Sequence, residues 1–146
     1  MPRGSNTKPN AIVGIIGFGA FGQLIARDIQ PYFRLCAYDP APGLQPVAER
    51  YGVTLTSLEM AASCPVVVLA MPVGRLQEVV EAVAPYIRPG SLVLDVGSVK
   101  VGPAQVMRRG LPEGCVPGRG VGGRARSLRR SAARGRWPEA VIAGLR

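Results

Sequence analysis

The sequence predicts an α/β fold: an open parallel sheet with helices on both faces. Three observations carry that expectation. AIVGII at 11–16 and PVVVLA at 65–70 are apolar throughout, and LVLDV at 92–96 is apolar but for Asp95, rather than alternating, as strands covered on both faces are. Between them lie segments whose apolar residues recur at helical spacing. Strand and helix then alternate along the chain, a pattern that folds into a parallel sheet, with right-handed crossovers placing helices on either side. A chain of 146 residues, 47% of them hydrophobic, fits one domain with a core of its own.

Each element has its own local reason. Residues 1–10 are polar, with Pro and Gly, and read as a flexible arm. Ala11 to Ile16 is the first strand, and Ala20 to Gln30 the first helix, with Phe21, Leu24, Ile25 and Ile29 near one face. Pro31 stops that helix. Phe33 to Tyr38 is the second strand and ends at Asp39. Pro46 to Tyr51 reads as a short helix and Val53–Leu55 as a short strand. Ser57 can cap a helix over SLEMAA. Pro65 to Ala70 is the most apolar strand, followed by a loop, MPV, at 71–73. Arg75 to Ile87 reads as an amphipathic helix with Leu76, Val79, Val80 and Val83 inward. Leu92 to Val96 is a further strand, and Pro103 to Arg109 can form one more helix. The domain organisation is thus an arm (1–10), an α/β body (11–111) and an Arg/Gly-rich tail (112–146) read as disordered.

Charge separates the tail from the body. Of the net +9, residues 1–111 supply +3 and residues 112–146 supply +6. The longest apolar runs fall far short of the roughly 18 residues needed to cross a membrane, and the first ten residues have no apolar core of a secretory signal. Cys36 and Cys64 lie in or beside apolar segments and read as buried, reduced thiols; no metal-ligand pair is expected of the cysteines. Reduced thiols without a targeting segment point to the cytoplasm. The chain has no histidine, so none of its own side chains can serve as an imidazole base or ligand.

The chemical signal is Gly17-x-Gly19-x-x-Gly22, with Phe18, Ala20 and Phe21 between the glycines. It follows a strand, opens a helix, and Asp39 stands at the end of the next strand, near the usual spacing of about 20 residues. Gly17 permits the tight turn, Gly19 lets backbone approach a pyrophosphate, and Gly22 lets helix pack on strand. The helix N-terminus offers free N–H groups to phosphates, and Asp39 can accept hydrogen bonds from a ribose. The bland alternative is a glycine-rich turn with a solvated Asp. The whole context favours a Rossmann-like dinucleotide site holding Gly17 to Gly22 and Asp39. An acid at position 39 repels a 2′-phosphate, so NAD is preferred and NADP possible.

Met71, Pro72 and Val73, and Ser98 and Lys100 of DVGSVK, lie past the C-terminal ends of strands, where open α/β sheets bind ligands. Met71, Pro72 and Val73 can line the nicotinamide side of the cofactor, or simply turn the chain. Ser98 can hydrogen-bond a substrate and Lys100 attract an acidic one; alternatively they are an N-cap and a surface lysine.

VGIIGFGAFG, AYDP, VVVLAMPV, LVLDVGSVKV and LPEG together resemble the nucleotide-binding domain of the prephenate/arogenate dehydrogenases of tyrosine biosynthesis, over about residues 11–114. DVGSVK is the most discriminating piece and marks Ser98 as an active-site position. The resemblance implies oxidative decarboxylation of prephenate or arogenate by hydride transfer to NAD(P). It also implies a His-Pro strand bearing the proton acceptor, and a helical domain that completes the substrate pocket and makes a homodimer. Here CVPGRGVGGRARSLRRSAARGRW stands where the His-Pro strand belongs, and no helical domain is expected within these 146 residues. A positioned proton acceptor contributes about 10²–10⁴-fold in rate, so the chain is expected to be catalytically impaired.

The tail admits a basic nucleic-acid-binding arm, a flexible tail, or a change of reading frame near codon 115. The frame change is favoured, because out-of-frame GC-rich codons give Arg, Gly, Ala and Pro. Three functions follow: an impaired dehydrogenase, a dinucleotide-binding module without catalysis, or, less favoured, a basic-tailed nucleic-acid binder. The sheet edge beyond the fifth strand is expected to stand open and to invite association. Sequencing the gene across codons 112–146 checks the frame change. His-Pro codons in another frame are the expected result, and their absence from every frame would rule it out.

Overall fold

The computed structural model describes residues 12–95, 109–111 and 116–118. In chain order these contain β1 (Ile12–Ile16), α1 (Ala20–Ile29), β2 (Arg34–Tyr38), α2 (Gln45–Arg50), β3 (Val53–Leu55) and α3 (Leu58–Ala62). There follow β4 (Val66–Leu69), a 3₁₀ turn (Val73–Arg75), α4 (Leu76–Val83), β5 (Leu92–Asp95) and β6 (Val116–Gly118). The six strands make one sheet in the order β3-β2-β1-β4-β5-β6, and every neighbouring pair is parallel.

Strand alternation splits the core into two layers. Val13, Ile15, Val66, Val68, Leu92 and Leu94 face one side, against Ile25, Ala26 and Ile29 of α1 and Ala48 of α2. Ile16, Val67, Leu69 and Val93 face the other, against Ala61 and Ala62 of α3 and Leu76, Val80 and Val83 of α4. Both faces of the middle strands are therefore dry, which is why those strands read as continuous apolar runs. Full burial of one such Val, Leu or Ile is worth about 1.5–3 kcal/mol, so the middle strands dominate stability.

Several expectations change. In α1 the buried stripe is Gly22, Ile25, Ala26 and Ile29, while Phe21 and Leu24 are exposed. Gly22 has to face β1, because a Cβ there would collide with the Gly17 carbonyl. That fixes the helix rotation and turns Phe21 and Leu24 outward. α4 ends at Val83 rather than Ile87. Pro85 is the cause, since proline cannot donate to the preceding turn and disfavours helix in the residue before it. Val73 opens a 3₁₀ turn instead of remaining in a loop. Ser57 does cap α3: its side-chain oxygen accepts from the Met60 N–H at 3.2 Å.

The largest correction concerns the edge of the sheet. It is not left open at β5. Val116–Gly118, inside the stretch read as tail, pairs with Leu92–Leu94 in parallel register. Pro117 is tolerated because β6 stands at the edge of the sheet. The remainder of the tail, the arm at 1–10, Ala11, Val96, and the proposed helix at 103–108 lie outside the described residues.

Gly14 is where α3 comes closest to the sheet. A Cβ at this position would collide with the Ala61 carbonyl and lie 3.1 Å from the Cys64 sulfur. Gly14→Ala is therefore expected to destabilise the fold by about 1–3 kcal/mol, the usual cost of overpacking. Urea denaturation reads this as a lower midpoint; an unchanged midpoint would contradict the close packing of α3 on β1.

Candidate dinucleotide-binding site

The site begins where β1 ends. Gly17 has φ +95°, a conformation that side chains disfavour, and a Cβ on it would lie 2.6 Å from the Ala70 carbonyl oxygen. Its N–H donates to the Tyr38 carbonyl at 2.8 Å. The next N–H, of Phe18, donates to Asp39 Oδ2 at 2.7 Å. Asp39 Oδ1 accepts from the Ala41 N–H at 2.8 Å. One carboxylate thus ties the glycine turn to the end of β2 and also orders the turn after it. The Gln23 side chain completes the loop by donating to the Phe18 carbonyl at 3.0 Å.

The three glycines do different things. Gly17 and Gly22 are required by the fold, since a Cβ on either would strike backbone. Gly19 is not. Its φ is −80°, open to any residue, and a Cβ there would meet nothing within 4 Å. The missing side chain leaves a free cradle on the outer side of the loop.

Gly19 is also the residue that starts α1, with no side-chain cap and no acid in the first turn. The first bond into the helix runs from the Gln23 N–H to the Gly19 carbonyl. The N–H groups of Ala20, Phe21 and Gly22 therefore have no acceptor within the helix. They carry the positive end of its dipole. A cradle that a Cβ would fill, bordered by unpaired N–H groups, fits a pyrophosphate.

A groove of about 420 Å³ opens beside this loop. Gly17, Gly19, Tyr38, Asp39 and Pro40 form one side. Ala70, Met71 and Pro72 form the end of β4 and the turn after it. Leu58 of α3 and Val79 and Ala82 of α4 supply an apolar wall, and Arg75 and Glu78 the rim. Arg75 faces Glu78 across 3.8 Å, both largely exposed.

Of the residues singled out in the sequence, Gly17, Gly19, Asp39, Met71 and Pro72 line this one groove. Phe18 does not: its ring is fully buried in the core, and it serves through its backbone. Ala20 and Phe21 stand exposed in the first turn of α1, and Gly22 is buried behind it. Ser98 and Lys100 lie outside the described residues, and the Val73 side chain is not described. Leu58, Arg75, Glu78, Val79 and Ala82 were not singled out for this site. Arg75 and Val79 had a signal, because α4 starts directly after the turn at Met71. Leu58 had none, since α3 reaches the groove only through the packing of Ala61 over Gly14.

Residues 25–137 match the family model described as prephenate dehydrogenase, nucleotide-binding domain. The match begins after the glycine turn and continues past residue 114, so its bounds differ at both ends from the 11–114 of the sequence resemblance. Over 70 residues the chain is 33% identical to a protein of Methanocaldococcus jannaschii named "Probable arogenate/prephenate dehydrogenase", spanning 47% of this chain and 16% of that one. Among solved structures it is similar to prephenate dehydrogenase from Aquifex aeolicus in complex with hydroxyphenyl propionate and NAD+. There the TM-score is 0.65 and the identity 22%, over 77% of this chain and 42% of that one. It is also similar to Synechocystis arogenate dehydrogenase, with TM-score 0.62 and 22% identity over 67% of this chain and 37% of that one. The chain thus spans less than half the length of these relatives.

Gly19→Ala separates the two kinds of glycine. It is expected to cost about 1 kcal/mol in urea denaturation, because alanine is the poorer helix cap, while leaving the chain folded and abolishing dinucleotide binding in a calorimetric titration. Binding that survives the methyl group would show that the cradle at Gly19 is not used.

Proposed function

Because the chain belongs to the family of prephenate dehydrogenase nucleotide-binding domains, we propose that it is the NAD-holding part of an oxidoreductase acting on prephenate or arogenate. The observation that carries this reading is the opening at Gly19, where sterics do not require a glycine and the next three N–H groups have no acceptor within the helix. The residues present fit the dinucleotide. The Gly19 cradle and the first turn of α1 receive the pyrophosphate. Asp39 accepts the ribose hydroxyls: a carboxylate has about four acceptor positions, and two are taken by the Phe18 and Ala41 N–H groups. Leu58, Val79 and Ala82 offer the adenine a dry wall.

The same carboxylate supports NAD over NADP, since a 2′-phosphate would bring two further negative charges against Asp39. Arg75 stands in the same groove, but its guanidinium faces Glu78, which offsets its pull on a phosphate. When bound, NAD supplies the hydride acceptor. Met71 and Pro72, at the end of β4, then border the nicotinamide. β5 ends at Asp95 beside the end of β4; in this reading Ser98 and Lys100, three and five residues further along the sequence, meet the substrate hydroxyl and a substrate carboxylate.

Proton removal needs a base, and these 146 residues include no histidine. The chain by itself is therefore expected to bind the dinucleotide as a module and to turn over prephenate at background rate.

Two outcomes test this reading. Asp39→Ala is expected to weaken NAD about 10- to 100-fold, because a hydrogen bond to a charged group is worth about 1.5–3 kcal/mol. Asp39→Asn keeps one acceptor and should lose less. Equal affinity of parent and Asp39→Ala would remove Asp39 from the ribose site. In the parent chain NADP should bind more weakly than NAD, and incubation with NAD and prephenate should give no rise in reduced-cofactor absorbance above a no-protein control.

A further inference from the structure

The sequence keeps Cys36 and Cys64 well apart, one in β2 and one just after α3. The fold brings their sulfurs to 3.4 Å. Gly14 makes this possible. It is the register neighbour of Cys36 in β1, and its bare Cα leaves the Cys64 sulfur room to reach across the strand, since a Cβ there would stand 3.1 Å from it. The Cys64 thiol donates to the Met60 carbonyl at 3.4 Å, so in the pair Cys36 is the donor and Cys64 the acceptor. Neither cysteine lines the groove, and the inference is independent of the dinucleotide reading.

We propose that Cys36 and Cys64 are an oxidative modification site: a dithiol that hydrogen peroxide converts to a disulfide, tying β2 to the end of α3. The sulfurs need to close by little more than an ångström to reach the bonding distance of about 2.05 Å. Donation from Cys36 holds the Cys64 thiol below its ordinary range, aided by the charge of Arg88, while the same bond and burial push Cys36 up. Cys64 is therefore the attacking sulfur. Its thiolate displaces hydroxide from peroxide and becomes a sulfenic acid. The Cys36 sulfur then attacks the Cys64 sulfur, the S–S bond forms, and water leaves. In sum two thiols lose two hydrogens and one peroxide becomes two waters. Cys64 is only 8% exposed, but the five-residue α3 that covers it carries an exposed Met60, and local opening of so short a helix admits peroxide.

Trypsin separates the three cysteines, because Arg50 lies between Cys36 and Cys64, and Arg75 and Arg109 between Cys64 and Cys115. The full chain is exposed to hydrogen peroxide, quenched, alkylated, digested and mapped by mass. Expected is a linked pair of the Cys36 and Cys64 peptides, lighter by two hydrogens than the two free peptides and released by dithiothreitol. In Cys36→Ala, Cys64 should stop at a sulfenic acid that dimedone traps. The proposal is overturned if Cys36 and Cys64 both stay alkylatable at a peroxide dose that oxidises free cysteine. It is equally overturned if either cysteine links to Cys115 instead, or if Cys64 passes to the sulfinic acid with Cys36 still free. The map of the unsubstituted chain decides alone should Cys36→Ala fail to fold.

Discussion

The bond from the Phe18 N–H to Asp39 is the constraint on which the rest of the site depends. It joins the turn after β1 to the end of β2 at 2.7 Å, beside a backbone bond from Gly17 to Tyr38. In that turn residue 17 takes a positive φ, and a Cβ at residue 22 would strike the Gly17 carbonyl. From Gly22 the rotation of α1 follows, and with it the apolar stripe Ile25, Ala26 and Ile29 that seals one face of the sheet. The contacts that shape the groove beside this turn are also contacts of the fold. The exception is Gly19, which the fold does not need and a ligand would.

Topology explains why the groove lies where it does. The chain leaves β1 toward β2 and β3, then returns to the other side of β1 at β4. Connections on the two sides diverge at that point, and a crevice opens beyond the strand ends. The Gly17 turn and the Met71 turn are its two lips. β5 ends at the same edge, in register with β4 through Leu69 and Asp95. The loops can change without disturbing the buried Val67 and Val93 below them.

What was legible in the sequence was local. Gly17, Gly19, Gly22 and Asp39 announce themselves because turn, helix start and strand end fall at fixed offsets. The buried strands do so because Val66 to Leu69 and Leu92 to Leu94 have no polar face to show. What was not legible depended on contacts far apart in the chain. β6 is Val-Pro-Gly, with almost no strand propensity, and is held by backbone pairing to β5. Phe21 looked like core until Gly22 fixed the helix rotation. Apolar spacing carries α4 through Ile87, yet Pro85 ends it and Ile87 stays buried without being helical. Cys36 and Cys64 gave no hint of each other, because their meeting needs both the β1–β2 register and the absence of a side chain at Gly14.

The most direct measurement is an amide NMR titration of the chain with NAD. A groove formed by the glycine turn predicts saturable shifts concentrated at Gly17 to Phe21, Tyr38 to Ala41 and Met71 to Arg75, with β3 unmoved. Absence of shifts at millimolar NAD, or shifts confined to residues remote from the turn at Gly17, would contradict the account.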